Sequence, residues 1–347
     1  MLEDIPYMTD SFIKAFYKGI KPSLSFQARS REEFEAWKKV LISKVKELLG
    51  ELPEKAPLNP EFYSREEKEK YIREKWVIQT EENCYMPLYL LIPKIRRGKL
   101  PAILCCHGHG KYGKDAVAGV HFNSPQRIAQ IRELNYNYGE QMAERGYITI
   151  IPDWRSFGER TGYGVNSFPG KDICNVHFIQ HLILGRTLLG ANIFDGMRAI
   201  DFLLTREEVD AERIGCMGLS FGGTMTTYLT LLDERIKCGD IICYATTTEH
   251  YAINRINFCG SQLVPYLYRY ADIGDIMAAI SPKPLLIESG ANDSCFYLPS
   301  AKKAHAILKQ AYEIAGAAEN LWIEIFAGEH SFAGNRAFSF FAKFLKE

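Results

Sequence analysis

The 347-residue chain predicts an α/β fold built on a mostly parallel, doubly wound sheet of eight strands with helices on both faces. Short apolar runs recur through residues 76–347, and helical patterns separate the later ones, as parallel strands joined by crossover helices require. Hydrophobic residues make up 47% of the chain, enough for a substantial core. One apolar run, from Arg213, ends in Gly218-Leu-Ser-Phe-Gly222, which reads as a sharp strand-to-helix turn with a serine at its apex.

Ser30-Arg-Glu-Glu33 has the form of a capping box. Phe34, Trp37, Val40, Leu41, Val45, Leu48 and Leu49 then recur at helical spacing up to Gly50. The loop from Leu52 to Pro60 holds three prolines, and the charged stretch from Ser64 to Lys75 follows it. Residues 1–75 are therefore expected to form an N-terminal helical extension packed on a catalytic domain of residues 76–347. Strands are expected at 76–80, 85–93, 101–106, 147–151, 213–217, 240–244, 284–288 and 321–326. The basic cluster Lys94-Ile-Arg-Arg-Gly-Lys99 reads as a solvated hairpin turn. Segments 157–189 and 246–281 are long for single connections and are positioned to cover a pocket. The second carries Tyr251, Phe258, Tyr266, Tyr268 and Tyr270. Asp195 and Asp201, in the helical stretch before residue 213, are expected at the surface or as caps.

Balanced charge, 42 basic against 42 acidic residues, leaves no field to gather nucleic acid or an acidic membrane. The start of the chain lacks the basic residues and continuous apolar run of a secretory signal, and no run reaches membrane-spanning length, so a cytoplasmic location is expected. The nine cysteines show no CxxC spacing and read as small buried hydrophobes, with no disulfide framework, zinc site or cofactor implied. Association into a homo-oligomer is left open.

The chemistry is concentrated at the glycine-flanked serine. A strand turning at once into a helix strains the residue at the turn, and small residues two before and two after it, Gly218 and Gly222, make the turn sterically possible. Ser220 is then the nucleophile. It needs a base and an orienting acid in the order serine, acid, histidine. The run Pro284-Leu-Leu-Ile-Glu288 exits through Ser289-Gly-Ala-Asn-Asp293, which delivers Asp293 on a turn. The run Leu321–Phe326 ends in Ala-Gly-Glu-His330, which makes His330 the base. Glu288 competes for the acid but lies inside its strand, and His305 lies within a helical pattern over 300–315. His250 precedes the acid and reads as a residue at the pocket rim. Oxyanion donors are expected from the amides of Phe221 and of His109, in the glycine-rich loop His107-Gly-His-Gly110. His107 and His109 lack a third nearby ligand, so loop packing is preferred to metal binding. Trp154, Arg155 and Glu159 are candidates for substrate contact, with a local ion-pair network as the simpler role for the charged residues.

The elbow, the glycine-rich loop and the triad order together resemble the α/β-hydrolase superfamily over residues 76–347. Pro152-Asp-Trp-Arg-Ser-Phe-Gly-Glu-Arg160 is similar to the corresponding segment of dienelactone hydrolase-like and acetyl xylan esterase-like carboxylesterases. The serine separates the chain from dienelactone hydrolase itself, which uses cysteine. The resemblance implies hydrolysis of carboxylic esters, acetyl esters among them, on a small-molecule substrate without a cofactor. A prolyl oligopeptidase-type serine peptidase and a noncatalytic ligand-binding protein on the same fold are the alternatives.

Overall fold

The computed structural model describes residues 7–95, 98–162, 172–254 and 259–347. Two helices, α1 (Thr9–Gly19) and α2 (Arg31–Leu49), precede strands β1 (Glu61–Glu67), β2 (Tyr71–Glu81), β3 (Cys84–Pro93) and β4 (Leu100–Cys106). Short helices α3 (Lys114–Val117), α4 (Pro125–Leu134) and α5 (Tyr138–Ala143) lead to β5 (Ile148–Pro152). Then come α6 (Ile173–Ile183), α7 (Leu188–Leu203), β6 (Val209–Leu219), α8 (Phe221–Leu232), β7 (Ile236–Ile242) and α9 (Ile273–Ala278). The chain closes with β8 (Leu285–Gly290), α10 (Leu298–Ile314), β9 (Leu321–Phe326) and α11 (Ala337–Leu345).

The nine strands lie in one sheet in the order β1-β2-β3-β5-β4-β6-β7-β8-β9. Pairing is antiparallel from β1 through β3 to β5 and parallel from β5 to β9. This is an α/β-hydrolase-type sheet, with one strand more than the sequence suggests. The extra strand, β1, reads Glu-Phe-Tyr-Ser-Arg-Glu-Glu, exposed throughout at the sheet edge. It carries no apolar alternation because neither face is buried. Its place comes from the ladder with β2, the Phe62–Trp76 ring contact at 5.2 Å and the Arg65–Glu74 ion pair at 3.6 Å. The sheet thus starts at Glu61, inside the stretch assigned above to the extension.

Two further expectations are corrected. The basic cluster is not a hairpin turn, because β5 lies between β3 and β4; its Arg96 and Arg97 fall outside the described residues. β7 begins earlier than its apolar run and ends before Cys243, whose φ of 48° breaks the extended conformation.

Alternate strand residues feed two cores, as the period of two dictates. Leu88, Leu90, Leu104 and Cys106 face α2, α7, α8, α9 and α10. Tyr89, Leu91, Ile103 and Cys105 face α3, α5 and α11, where Phe340, Phe341 and Leu345 are buried. Burying each such side chain is worth roughly 1.5–3 kcal/mol. Of the N-terminal helices, α2 joins the first core through Leu41, Val45 and Leu49, whereas α1 buries no residue. The Ser30 hydroxyl accepts from the Glu33 amide at 3.2 Å, while the Glu33 carboxylate accepts from the Arg29 amide, one residue before the capping-box position. Phe34, on the buried face of α2, packs with Ala278, Ala311 and Ala315.

After β4 the chain places β5 on one side of it and β6 on the other, so the strand order reverses there. The crevice beyond the carboxyl ends of β4 and β6 is where such sheets bind ligands. The register sets Cys106 beside Gly218, Leu219 beside Ile242 and Ile242 beside Glu288, bringing the loops after β4, β6, β7 and β8 to one rim.

Candidate active site

Ser220 is the residue between β6 and α8, with φ 63° and ψ −117°. A non-glycine residue held there is strained, and the surroundings enforce it. A Cβ on Gly222 would lie 2.0 Å from the Cys106 carbonyl oxygen, and one on Gly218 would lie 2.5 Å from the Gly222 carbonyl oxygen. Only glycine lets the turn press this closely on β4. The Ser220 amide donates to the Ile242 carbonyl at 2.9 Å, fixing the turn to β7.

On the same rim, His330 Nδ1 and Asp293 Oδ2 are 2.8 Å apart. The other oxygen of Asp293 accepts from the amides of Cys295 and Phe296 at 2.7 and 2.9 Å. Burial works to raise this carboxyl, but the hydrogen bond and charge of His330 and the two amides outweigh it and hold it below its usual range. The Phe296 ring stacks on His330 at 5.5 Å, restricting the imidazole. Glu288, by contrast, is buried, accepts from the Ala333 amide at 2.9 Å, and is pushed up in pKa by that burial.

No hydrogen bond joins the Ser220 hydroxyl to His330 among the described residues; such contacts are commonly long before substrate binds. Two other serine–histidine contacts are closed, Ser156–His177 at 2.8 Å and Ser289–His305 at 3.1 Å. Both serines are buried, and neither imidazole has a hydrogen-bonded carboxylate among the described residues.

The loop after β4 lies against the serine turn. A Cβ on Gly108 would be 2.8 Å from the Leu219 carbonyl oxygen, and the Gly108 amide donates to the Tyr136 hydroxyl at 2.7 Å. His107 is fully buried: its Nε2 accepts from the Trp154 amide at 3.1 Å, so Nδ1 carries the proton and donates to the Gly108 carbonyl at 2.8 Å. Burial lowers its pKa to about 4, which leaves it a neutral strut between the loops after β4 and β5. The His109 ring is exposed and rests edge-on against Phe157 at 5.2 Å, and Phe157 in turn packs on Phe221 at 5.2 Å.

The Abhydrolase_7 model, described as an abhydrolase family, matches residues 4–333. The chain belongs to this abhydrolase family. The Bacillus subtilis (strain 168) protein named "Putative hydrolase YtaP" is 27% identical over 279 residues, covering 78% of this abhydrolase and 87% of the relative. A crystal structure from Bacteroides fragilis NCTC 9343, described as a "putative acetyl xylan esterase", superposes with a TM-score of 0.77 at 22% identity, over 92% of this chain and 82% of the other. A glucuronoyl esterase from Solibacter usitatus gives 0.66 at 16% identity, over 94% and 96%. At these identities the structural matches establish the shared fold.

The remaining candidates in this abhydrolase make contacts of their own. Arg155 forms a two-pronged ion pair with Asp195 at 2.8 and 2.9 Å and another with Glu81 at 2.7 Å. Arg160 also reaches Asp195, at 2.7 Å. Asp195 is fully buried, correcting its expected place at the surface; burial alone would raise its carboxyl, but the two guanidinium groups hold it well below its usual range. Asp201 likewise pairs with Arg198, Arg235 and Lys55. Glu159 pairs with Lys75 and with buried Lys114, which also binds Asp153 at 2.8 Å. These charges brace the loop after β5. Trp154 is buried, and its indole N–H has no hydrogen-bond partner among the described residues. His250 stacks on Tyr297 at 5.2 Å, in a π-helical turn of the 246–281 segment.

Sequence reasoning missed Lys114, Asp153 and Asp195 as positioning residues. Asp153 lies in the quoted Pro152–Arg160 segment, but nothing local marks Lys114. Of the segments expected to cover a pocket, residues 163–171 and Phe258 lie outside the described residues. Tyr266 and Tyr268 line a cavity of about 340 Å³ with Phe16 and Ile20 from α1 and its exit. The Tyr17–Tyr268 stack at 4.7 Å further ties the extension to this segment.

Proposed function

We propose that this abhydrolase is a serine carboxylesterase that cleaves short-acyl esters, acetyl esters foremost, through a Ser220–His330–Asp293 triad. The observation that carries the reading is a strained serine at a strand–helix junction, on the same sheet rim as a buried carboxylate hydrogen-bonded to a histidine. His330 takes the Ser220 proton as the oxygen attacks the ester carbonyl, and Asp293 stabilises the imidazolium. The amides of Phe221, at the start of α8, and of His109 hold the oxyanion. His330 returns its proton to the leaving alcohol, and water then repeats the sequence to release the acid and free Ser220. The aromatic surround of Phe157, Phe221 and Phe296 suits a small acyl group. The names of the esterases that share the fold support the class of reaction and leave the alcohol portion open.

The test is hydrolysis of p-nitrophenyl esters of increasing acyl length, beside a peptide amide, with labelling by a fluorophosphonate. Ester turnover is expected to be fastest for acetate. Ser220→Ala should lose on the order of 10³-fold or more in kcat, together with the label, while keeping its fold. Near wild-type rates in that variant rule the mechanism out.

A further inference from the structure

Cys174, the second residue of α6, and Cys259, just before the helical turn Gly260–Gln262, are distant in sequence from each other and from His109, yet the three side chains converge. His109 Nε2 lies 3.3 Å from the Cys174 sulfur, and the imidazole nitrogen and both sulfurs all fall within 4.8 Å of one another. The cysteines are 1% and 8% exposed, while the His109 ring is open to solvent. We propose that His109, Cys174 and Cys259 form a binding site for a soft divalent metal ion of the zinc class, which pins both pocket-covering segments to the loop after β4.

The geometry suits the ion. Zinc–sulfur bonds of about 2.3 Å and a zinc–nitrogen bond of about 2.0–2.1 Å, arranged tetrahedrally, separate ligand atoms by roughly 3.5–4 Å. Two thiolates and an imidazole select zinc over magnesium or calcium, which prefer oxygen. The scaffold around the sulfurs is already set: the Gly260 amide donates to Asn175 Oδ1 at 2.8 Å, and Gly260 packs so tightly on Phe178 that a Cβ there would lie 2.2 Å from that side chain. The Ser261 hydroxyl, 2.6 Å from the Cys259 sulfur, adds a further contact that holds this thiol in place. A tetrahedral ion held by these three side chains would keep its fourth position for water. Occupancy would hold the loop that carries the His109 amide; that effect on turnover rests on the esterase reading, whereas binding does not.

The test is a Co²⁺ titration of the reduced, metal-stripped full-length protein, followed by absorption and by Zn²⁺ displacement. One equivalent should bind with a thiolate-to-cobalt charge-transfer band. Cys174→Ser and Cys259→Ser should each lose the band, and Cys295→Ser should keep it, with folding checked by circular dichroism. His109→Gln, altered at an exposed ring, should weaken binding at least tenfold and gives an answer even if a buried serine variant misfolds. Absence of the band, its persistence in the double cysteine variant, or a Cys174–Cys259 disulfide that forms in place of metal uptake overturns the proposal.

Discussion

Ser220 shows what a single residue can be made to do by its neighbours. Its φ of 63° is uncommon for a side chain with a Cβ, and the turn persists because Gly218 and Gly222 leave room for Cys106 and β4. At the same scale Asp293 has two tasks: one oxygen pairs with His330, and the other holds the backbone of residues 295 and 296. Asp293→Asn should keep the second and spoil the first, since an amide neither carries charge nor enforces the Nδ1–H tautomer. The expected loss is on the order of 10³–10⁴-fold in kcat with KM little changed. Steady-state kinetics on p-nitrophenyl acetate decide it, and an unchanged kcat would assign the orienting role elsewhere.

Between elements, buried charge fixes the loops around the rim. Asp195 on α7 takes both Arg155 and Arg160 from the loop after β5. A buried pair contributes little net stability, but breaking it strands the charges left behind. Asp195→Asn should therefore destabilise the fold by about 3–5 kcal/mol, read as a lower urea midpoint with an unchanged m-value. A loss below about 1 kcal/mol would mean that solvent already shares these charges. The sequence suggested an ion-pair network for Arg155 and Glu159 but not Asp195 as a partner, because Arg155 and Asp195 are 40 residues apart and an aspartate in a helical stretch resembles any surface acid. The β1 edge strand escaped for a related reason: its partner supplies the ladder, and its own pattern supplies nothing.

The whole molecule carries its buried histidines as a pH dependence. His305 is buried, lies 3.1 Å from the Ser289 hydroxyl, and is lowered to about 4 by that burial and by Lys309 and Lys302. Between about pH 4 and its ordinary 6.5 the unfolded chain binds a proton that the folded chain refuses, so this contribution is present above 6.5 and lost as pH falls toward 4. His107 acts in the same direction. Buried Asp240 and Glu288 act oppositely: their raised pKa values favour the folded state below the shifted values and lose that contribution as pH rises. The histidine share is isolated by difference. His305→Gln should gain on wild type by roughly 2–3 kcal/mol between about pH 7.5 and about pH 4.5 in urea denaturation. A constant difference across that range would show that His305 titrates alike in both states.

The sequence by itself determined the sheet-and-helix alternation, the serine turn, and the chain order in which Asp293 and His330 follow it. Those signals are local: a period of two, a glycine pair, a carboxylate or an imidazole just past a strand. Tertiary structure alone decided that Lys114 and Asp195 are buried ion-pair partners, and that His109, Cys174 and Cys259 converge. Each of these depends on through-space distances and desolvation set by how strands register and segments pack, which residue spacing along the chain does not encode.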